Sequence, residues 1–226
     1  GIILFLATVL FFIFLDFWGE VLWFKSLGYS ERFWTVFQAQ AVIGIVGACI
    51  GALFTGILIT STPQKSKKVF HWPQVLGGIS GGIWGFNNWD LVLRFVHKTP
   101  TQLTDPIFNK SISFYLFSLP LLDLVNQLFV FLSLIPLAYA GIYILTQYDQ
   151  KQKVRFSTGM KPIDSFQDFK PLFLPLGILA LCISWGLYLD TYHLLYSQTG
   201  TVTGAGWTDV NIKYPGLILV SIIVAL

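Results

Sequence analysis

A set of acidic, basic and amide side chains lies near the ends of the apolar stretches of this sequence, and these residues could do chemistry. The set consists of Asp16, Glu20, Asp90, Arg94, Asp123, Asn126, Gln127 and Asp190. Asp16 and Glu20 lie one helical turn apart, and Asp90 and Arg94 have the spacing of an ion pair. Such groups either meet headgroups, water and each other, or line an outward-facing vestibule that handles ions or docks an external domain.

No residue is assigned to catalysis, to cofactor binding or to a metal. The sequence contains no HExxH, GxSxG or phosphate-loop motif, each of which indicates a known type of catalysis or nucleotide binding. The three histidines, His71, His97 and His193, lie at the ends of apolar stretches, and Cys49 and Cys182 have no neighbour at metal-ligand spacing. We therefore expect no cofactor other than bound lipid, and the pattern favours a non-enzymatic protein.

The composition is that of a membrane protein. Of the 226 residues, 54% are hydrophobic and 11% are charged, and the mean hydropathy is +0.68. Soluble domains carry about 25% charged residues. The net charge of +3 is scattered along the chain, which is not the footprint of a nucleic-acid-binding protein. The expected partners are membrane lipids and other membrane-protein subunits.

Six stretches are long and apolar enough to be considered as membrane-spanning helices, which need about 20 residues. They are Ile2–Phe24, Phe33–Ile59, Trp72–Val96, Leu121–Leu145, Pro171–Leu189 and Ile212–Leu226. We therefore predict an all-α, polytopic transmembrane bundle with about six spans and short interfacial helices, forming one module over residues 1–226. The chain begins with glycine and stops inside an apolar run, so we expect the polypeptide to continue past Leu226.

The distribution of positive charge predicts the orientation of the module. With a cytoplasmic N-terminus, eight of the 14 Lys and Arg residues fall on the inner side and six on the outer side. The inner set is Lys65, Lys67, Lys68, Lys151, Lys153, Arg155, Lys161 and Lys170. This modest excess favours a cytoplasmic N-terminus. The expected location is an inner-type bacterial membrane, either the plasma membrane or an internal photosynthetic or respiratory membrane.

Glycines repeat every four residues on the second and third predicted spans. The two strips are Gly47 with Gly51, and Gly77 with Gly81 and Gly85. Small residues at this spacing allow two helix backbones to approach closely in a membrane. The strips predict either packing within this module or a contact with a helix of a partner subunit.

The segment "DPIFNKSISFYLFSLP", Asp105–Pro120, separates the third and fourth predicted spans. Asp105 and Pro106 predict a turn. Residues 111–119 are apolar but too short to span, which predicts an interfacial segment on the outer leaflet. Pro120 is expected to stop the helix at Leu119 and to begin the fourth span.

Three segments together resemble the uncharacterised protein family 0182 of bacterial integral membrane proteins. They are "LWFKSLGYSERFWT" (22–35), the segment 105–120 and "LDTYHLLYSQTGTVTGAGWTDVN" (189–211). The motif positions carried over are Asp105, Pro106, Phe108, Phe114, Tyr115, Pro120 and Asp209. This chain departs from the family motif by having Asn109 in place of Gly, Ser111 in place of Asp and Ser118 in place of a basic residue. The resemblance implies a membrane module followed by a large external domain, and it implies no known activity.

Three classes of function remain open. The first is a structural or accessory subunit that packs against other membrane proteins, which the packing strips favour. The second is a transporter or channel-like module with an outward-facing polar vestibule, and the third is the membrane anchor of an external enzyme domain.

Overall fold

The computed structural model of this chain describes residues 1–62, 72–158, 169–197 and 204–226, and they are helical throughout most of their length. The α-helices are α1 (Ile2–Ser26), α2 (Ser30–Ile59), α3 (Trp72–Asn87), α4 (Trp89–Val96), α5 (Leu119–Thr158), α6 (Lys170–His193) and α7 (Tyr214–Ala225). Two π-helical turns, Phe114–Ser118 and Asp209–Lys213, lead into α5 and α7, and a 3₁₀ turn, Leu194–Tyr196, follows α6. Lys65, Lys67, Lys68, His71 and Lys161, used above to predict orientation or ligands, lie outside the described residues.

Four helices among the described residues are long and apolar enough to cross a membrane, so the prediction of six spans is not supported. They are Ile3–Ser26, Ser30–Ile59, Phe114–Asp149 and Lys170–Tyr196. The sixth predicted span corresponds to α7, which has 12 residues. The helical and membrane-like character of the chain agrees with the sequence-based expectation.

The third predicted span, Trp72–Val96, is broken into α3 and α4. Asn88 lies between the two helices, with backbone angles of φ −112° and ψ 19°, outside the helical region. Its side-chain amide donates to the Trp84 carbonyl oxygen at 2.8 Å, so the side chain competes with the backbone for the helix acceptors. The 16 residues of α3 are about 24 Å long, which is less than the hydrocarbon thickness of about 30 Å.

The glycine strips predicted from sequence form the contact between α2 and α3. Gly47 faces Gly81 and Gly85, and Gly51 faces Gly77 and Gly81. A Cβ atom added at Gly47 or Gly51 would overlap a backbone carbonyl of α3. The strips therefore serve packing within this chain, and the pairing order shows that α2 and α3 run antiparallel.

The segment before Pro120 is the beginning of the long fifth helix, so two predictions about it are wrong. Helix continues from Phe114–Ser118 directly into Leu119–Thr158, and Pro120 does not stop it at Leu119. Residues 111–119 therefore do not form a separate interfacial element. The physical reason is the π turn, in which the Leu119 N–H donates to the Phe114 carbonyl. This wider turn accommodates a proline that lacks an N–H and whose ring would collide with a carbonyl in a regular α-helix.

The remaining helices pack in chain order, α5 on α6 and α6 on α7. Pro136 lies inside α5 and is fully buried. We call the end of the bundle formed by residues 97–111, the start of α5, the end of α6 and the start of α7 the hairpin end. The turn between α1 and α2 lies at the same end, because α2 is antiparallel to α3.

Candidate functional site

The loop before α5 is a tight hairpin closed by backbone hydrogen bonds. The Ile112 N–H donates to the Leu103 carbonyl at 3.0 Å, and the Asp105 N–H donates to the Lys110 carbonyl at 2.8 Å. Asn109 occupies the left-handed region with φ 54°. Asparagine tolerates this region better than other non-glycine residues. The replacement of the usual motif glycine by Asn109 therefore preserves the turn.

Asp105 holds this hairpin together from inside. Its side chain is buried, with 6% exposure, and one carboxylate oxygen accepts the Ile107 N–H at 3.1 Å while the other accepts the Phe108 N–H at 2.6 Å. The Tyr115 hydroxyl donates to the second oxygen at 3.1 Å. The predicted turn at Asp105 is thus present, and the carboxylate also ties the turn to the start of the helix that follows.

Aromatic rings from four segments converge beside Asp105. Tyr115, Leu119, Leu189 and Tyr192 form a buried cluster. The Phe108 ring lies 5.6 Å from that of Tyr192 and 5.4 Å from that of Tyr214, centroid to centroid. Such ring contacts add about 0.5–1.5 kcal/mol per pair beyond burial. The hairpin, α5, α6 and α7 are therefore locked together at one end of the bundle.

Asp209 organises the second π turn in the same manner. It is buried, accepts the Gly206 N–H at 3.0 Å and pairs with the Lys213 ammonium at 2.6 Å. The hydrogen bond from Lys213, aided by the bonds from Gly206 and Ser197, lowers the pKa of Asp209 below its usual range. As at Pro120, a proline follows the π turn two residues later, here Pro215.

The polar residues predicted to form one cluster are distributed over several separate places. Asp123 on α5 pairs with His193 on α6, with 2.8 Å between Oδ2 and Nε2. Asp90 and Arg94 form the expected pair at 3.0 Å. Asp190 is exposed at the end of α6. Asp90 and Arg94 thus pair within one helix, and Asp123 and His193 pair between two neighbouring helices.

Asp16 and Glu20 stand apart from the others. Both are exposed on α1, where they line a shallow cleft with Leu15, Gly19 and Trp23. The principal neighbour of α1 is α2, whereas Asp123 lies between α5 and α6. The structure therefore does not bring the α1 acid pair together with Asp123.

The two amides of the predicted cluster face different neighbours. Asn126 lies against Gly186 of α6. Gln127 lines a cavity of about 430 Å³ between α3 and α5, together with Trp84 and Asn87. Within the described residues, the buried Trp84 indole N–H has no hydrogen-bond partner. The cavity thus combines apolar walls with an indole donor and amide groups.

Sequence reasoning missed several residues of the hairpin end. The Tyr188 and Tyr192 hydroxyls lie 2.9 Å apart, a contact that their i, i+4 spacing could have indicated. The pairing of Asp123 with His193 joins residues 70 positions apart. Only the folded arrangement of α5 and α6 reveals that pair.

Comparison with known proteins identifies the family. A model of the uncharacterised protein family UPF0182 matches residues 1–226. The chain belongs to UPF0182. A UPF0182 protein of Methanospirillum hungatei is 33% identical over 96% of this chain, and one of Bradyrhizobium diazoefficiens is 29% identical over 89%. A relative from Desulfitobacterium hafniense is 28% identical over the whole chain. No solved structure matches this UPF0182 chain.

This UPF0182 chain spans about a quarter of the length of those relatives, namely 26%, 25% and 26%. The match of the family model over residues 1–226 confirms the resemblance inferred from the three motifs. The family description names no activity. Asp105 and Asp209, two of the motif positions, are the buried carboxylates that organise the hairpin end.

Proposed function

We propose that this UPF0182 chain is a structural membrane module that packs against further membrane-protein segments. The observation that carries the proposal is the exposure of α1. Its apolar window has no buried residue, compared with 33% for α2 and 28% for the Phe114–Asp149 span. A helix so weakly integrated into its own bundle offers a surface for another protein segment.

The contact between α1 and α2 is confined to an aromatic corner. The Phe17 ring lies 5.7 Å from that of Phe33 and 5.3 Å from that of Phe37, and the Phe24 ring lies 5.6 Å from that of Phe33. On the opposite face of α1, Phe12 is 64% exposed. The corner thus fixes the hairpin end of α1, while most of the remaining side chains of the helix are exposed.

The acidic pair on α1, Asp16 and Glu20, indicates which side chains a partner helix would carry. Asp16 and Glu20 are four residues apart, and no cation lies at ion-pair distance from either among the described residues. Like charges at this spacing destabilise an isolated helix by about 0.2–0.5 kcal/mol. A partner helix that carries a basic or hydrogen-bonding side chain near the hairpin end would relieve that repulsion.

Two arrangements fit this proposal. The partner is a separate subunit, which would make the module an accessory subunit, or it is another part of a longer polypeptide, which would make the module an anchor. The coverage of about a quarter of the relatives' length supports the second arrangement, and the exposure of α1 supports both.

Photo-crosslinking in native membranes tests the proposal. A photoreactive phenylalanine analogue is placed at Phe12 in the full-length protein, with the same analogue at Leu181 of α6 as the exposed control. At Phe17, which contacts α2, the analogue should react within the chain and serves as the internal standard. We expect a discrete protein adduct from Phe12.

The mass of the adduct separates the two arrangements. An adduct that adds the mass of a second protein supports the accessory subunit, and an internal crosslink to residues beyond this module supports the anchor. Reaction of Phe12 with lipid alone, at the level seen for Leu181, would contradict the proposal.

A further inference from the structure

A groove of about 530 Å³ lies between the hairpin and the first turns of the long fifth helix. We call it the lysine–serine groove, and its polar lining consists of Lys98, Asn109, Lys110, Ser111, Ser113 and Ser118. Phe114 contributes an apolar wall. Ligand-binding clefts usually measure about 300–1,000 Å³ and combine apolar walls with a few convergent polar groups, so its size and lining suit a small ligand group.

The groove has two ammonium groups and no acidic lining residue. The Lys98 ammonium donates to the Ser118 hydroxyl oxygen at 3.0 Å, and the Lys110 ammonium lies 5.7 Å from the Phe114 ring centre. Among the described residues, neither lysine has a carboxylate at ion-pair distance. The nearby Asp105 carboxylate is already bound to two backbone N–H groups and to Tyr115. An anion that enters the groove would therefore face two exposed ammonium groups and no carboxylate among the lining residues.

The serine hydroxyls complement the lysines. The Ser111 hydroxyl oxygen accepts the Phe114 N–H at 3.3 Å, and the Ser118 oxygen accepts from Lys98. Because both oxygens act as acceptors in these bonds, each hydroxyl retains its hydrogen for a further acceptor. The backbone amides of Ile112, Ser113 and Phe114 are already engaged, so side chains provide the recognition.

The groove lies at the level where a span begins. Phe114 lines it and is also the first residue of the Phe114–Asp149 candidate span. Lipid phosphates lie at this boundary between hydrocarbon and water, and lysines near it bind anionic headgroups. A phosphate offers several charged acceptor oxygens to ammonium and hydroxyl donors.

We propose that the lysine–serine groove binds a phosphate group, carried by an anionic lipid headgroup or by a soluble phosphate ester. Lys98 and Lys110 provide the charge, and Ser111 and Ser118 donate hydrogen bonds to the phosphate oxygens. This proposal is independent of the packing role of α1.

Native mass spectrometry of the delipidated full-length protein tests the proposal and distinguishes the two sources. The protein is titrated with phosphatidylglycerol, with phosphatidylcholine and with glycerol phosphate. We expect the Lys98→Gln, Lys110→Gln double variant to weaken phosphatidylglycerol binding by about tenfold or more, since two charge-assisted contacts are lost. Lys25→Gln, an exposed lysine at the same end of the bundle, is the matched control and should bind as the wild type does.

The outcomes are distinct. Preference for phosphatidylglycerol over both other probes, lost in the double variant and restored by Lys98→Arg, Lys110→Arg, supports a lipid phosphate. Binding of glycerol phosphate with the same sensitivity to the variants supports a soluble phosphate ester. Binding unchanged in the double variant, or weakened equally by Lys25→Gln, would overturn the proposal. Thermal unfolding checks that the variants are folded, and if the double variant is not, Lys110→Gln alone decides.

Discussion

Asp105 and Asp209 perform the same structural task in two turns that are distant in sequence. Each buried carboxylate accepts a backbone N–H from its own turn and a second contact from a side chain further along, Tyr115 for Asp105 and Lys213 for Asp209. Buried carboxylates are costly unless their oxygens are satisfied. At the residue scale, these two motif positions are therefore explained by turn formation.

Replacement of Asp105 by Asn is expected to destabilise the protein more than replacement of Tyr115 by Phe. The amide has one acceptor oxygen where the carboxylate has two, so at least one buried donor loses its partner, at a cost of about 1–3 kcal/mol. Tyr115→Phe removes one donor and leaves Asp105 its two N–H bonds. Thermal unfolding in detergent measures both variants, and an equal or smaller effect of Asp105→Asn would disprove this role.

The lowered pKa of Asp209 predicts a dependence of stability on pH. Because the folded-state pKa lies below the unfolded value, the contribution is fully present above the unfolded pKa of about 3.9 and is lost as the pH falls through the folded pKa. Lys213→Gln removes the largest cause of the shift and should raise the pKa of Asp209. Carboxyl carbon chemical shifts, followed by NMR during acid titration, measure this, and an unchanged pKa in the variant would contradict the assignment.

At the element scale, the helices depend on two departures from regular packing. The π turns before Pro120 and Pro215 widen the helix where proline removes a hydrogen bond. The glycine strips allow α2 and α3 to approach at backbone distance. The first departure keeps a helix continuous through a proline, and the second brings the backbones of two helices into direct contact.

Introduction of a methyl group into the α2–α3 contact is expected to force the helices apart. Gly51→Ala places its Cβ against the Gly77 carbonyl, and overpacking of this kind costs about 1–3 kcal/mol. Gly141→Ala in α5 is the matched control, because its added Cβ meets no atom within 4 Å outside its own turns of helix. Unfolding in a denaturing detergent compares them, and equal stability of the two variants would refute the close contact.

At the scale of the whole molecule, the antiparallel helices place the hairpin and the π turns at the same end of the bundle. The hairpin, both π turns and the Asp123–His193 pair lie at the hairpin end. The end of α2, the start of α3, the end of α5 and the start of α6 lie at the other end. If the excess of Lys and Arg governs insertion, the hairpin end faces away from the cytoplasm.

Cysteine labelling measures this orientation. In a background with Cys49→Ala and Cys182→Ala, Gln102→Cys marks the hairpin end and Thr60→Cys marks the opposite end, and both positions are exposed. We expect a membrane-impermeant thiol reagent to label the first in intact cells and the second only after the membrane is opened. The reverse pattern would show that the N-terminus lies outside.

Much of the fold could be predicted from the sequence because its signals are local. Apolar length predicts where helices can cross a membrane, and the four-residue glycine spacing predicted a close helix contact, which lies between α2 and α3. The predicted boundaries failed at Asn88 and Pro120. At both places the hydrogen bonding of the backbone determines whether the helix continues. Hydropathy does not reveal that the Asn88 side chain breaks the helix, and the presence of Pro120 does not reveal that a π turn preserves it.

The sequence by itself determined the class of protein, the apolar helices and the three motifs that identify the family. Only the tertiary structure decided which polar groups meet. Asp123 pairs with His193, and Phe108 contacts Tyr192 and Tyr214. Asp16 and Glu20, in contrast, lie on α1 away from these groups. The physical reason is that hydropathy and spacing act within one helix, whereas these contacts depend on how distant helices are brought side by side.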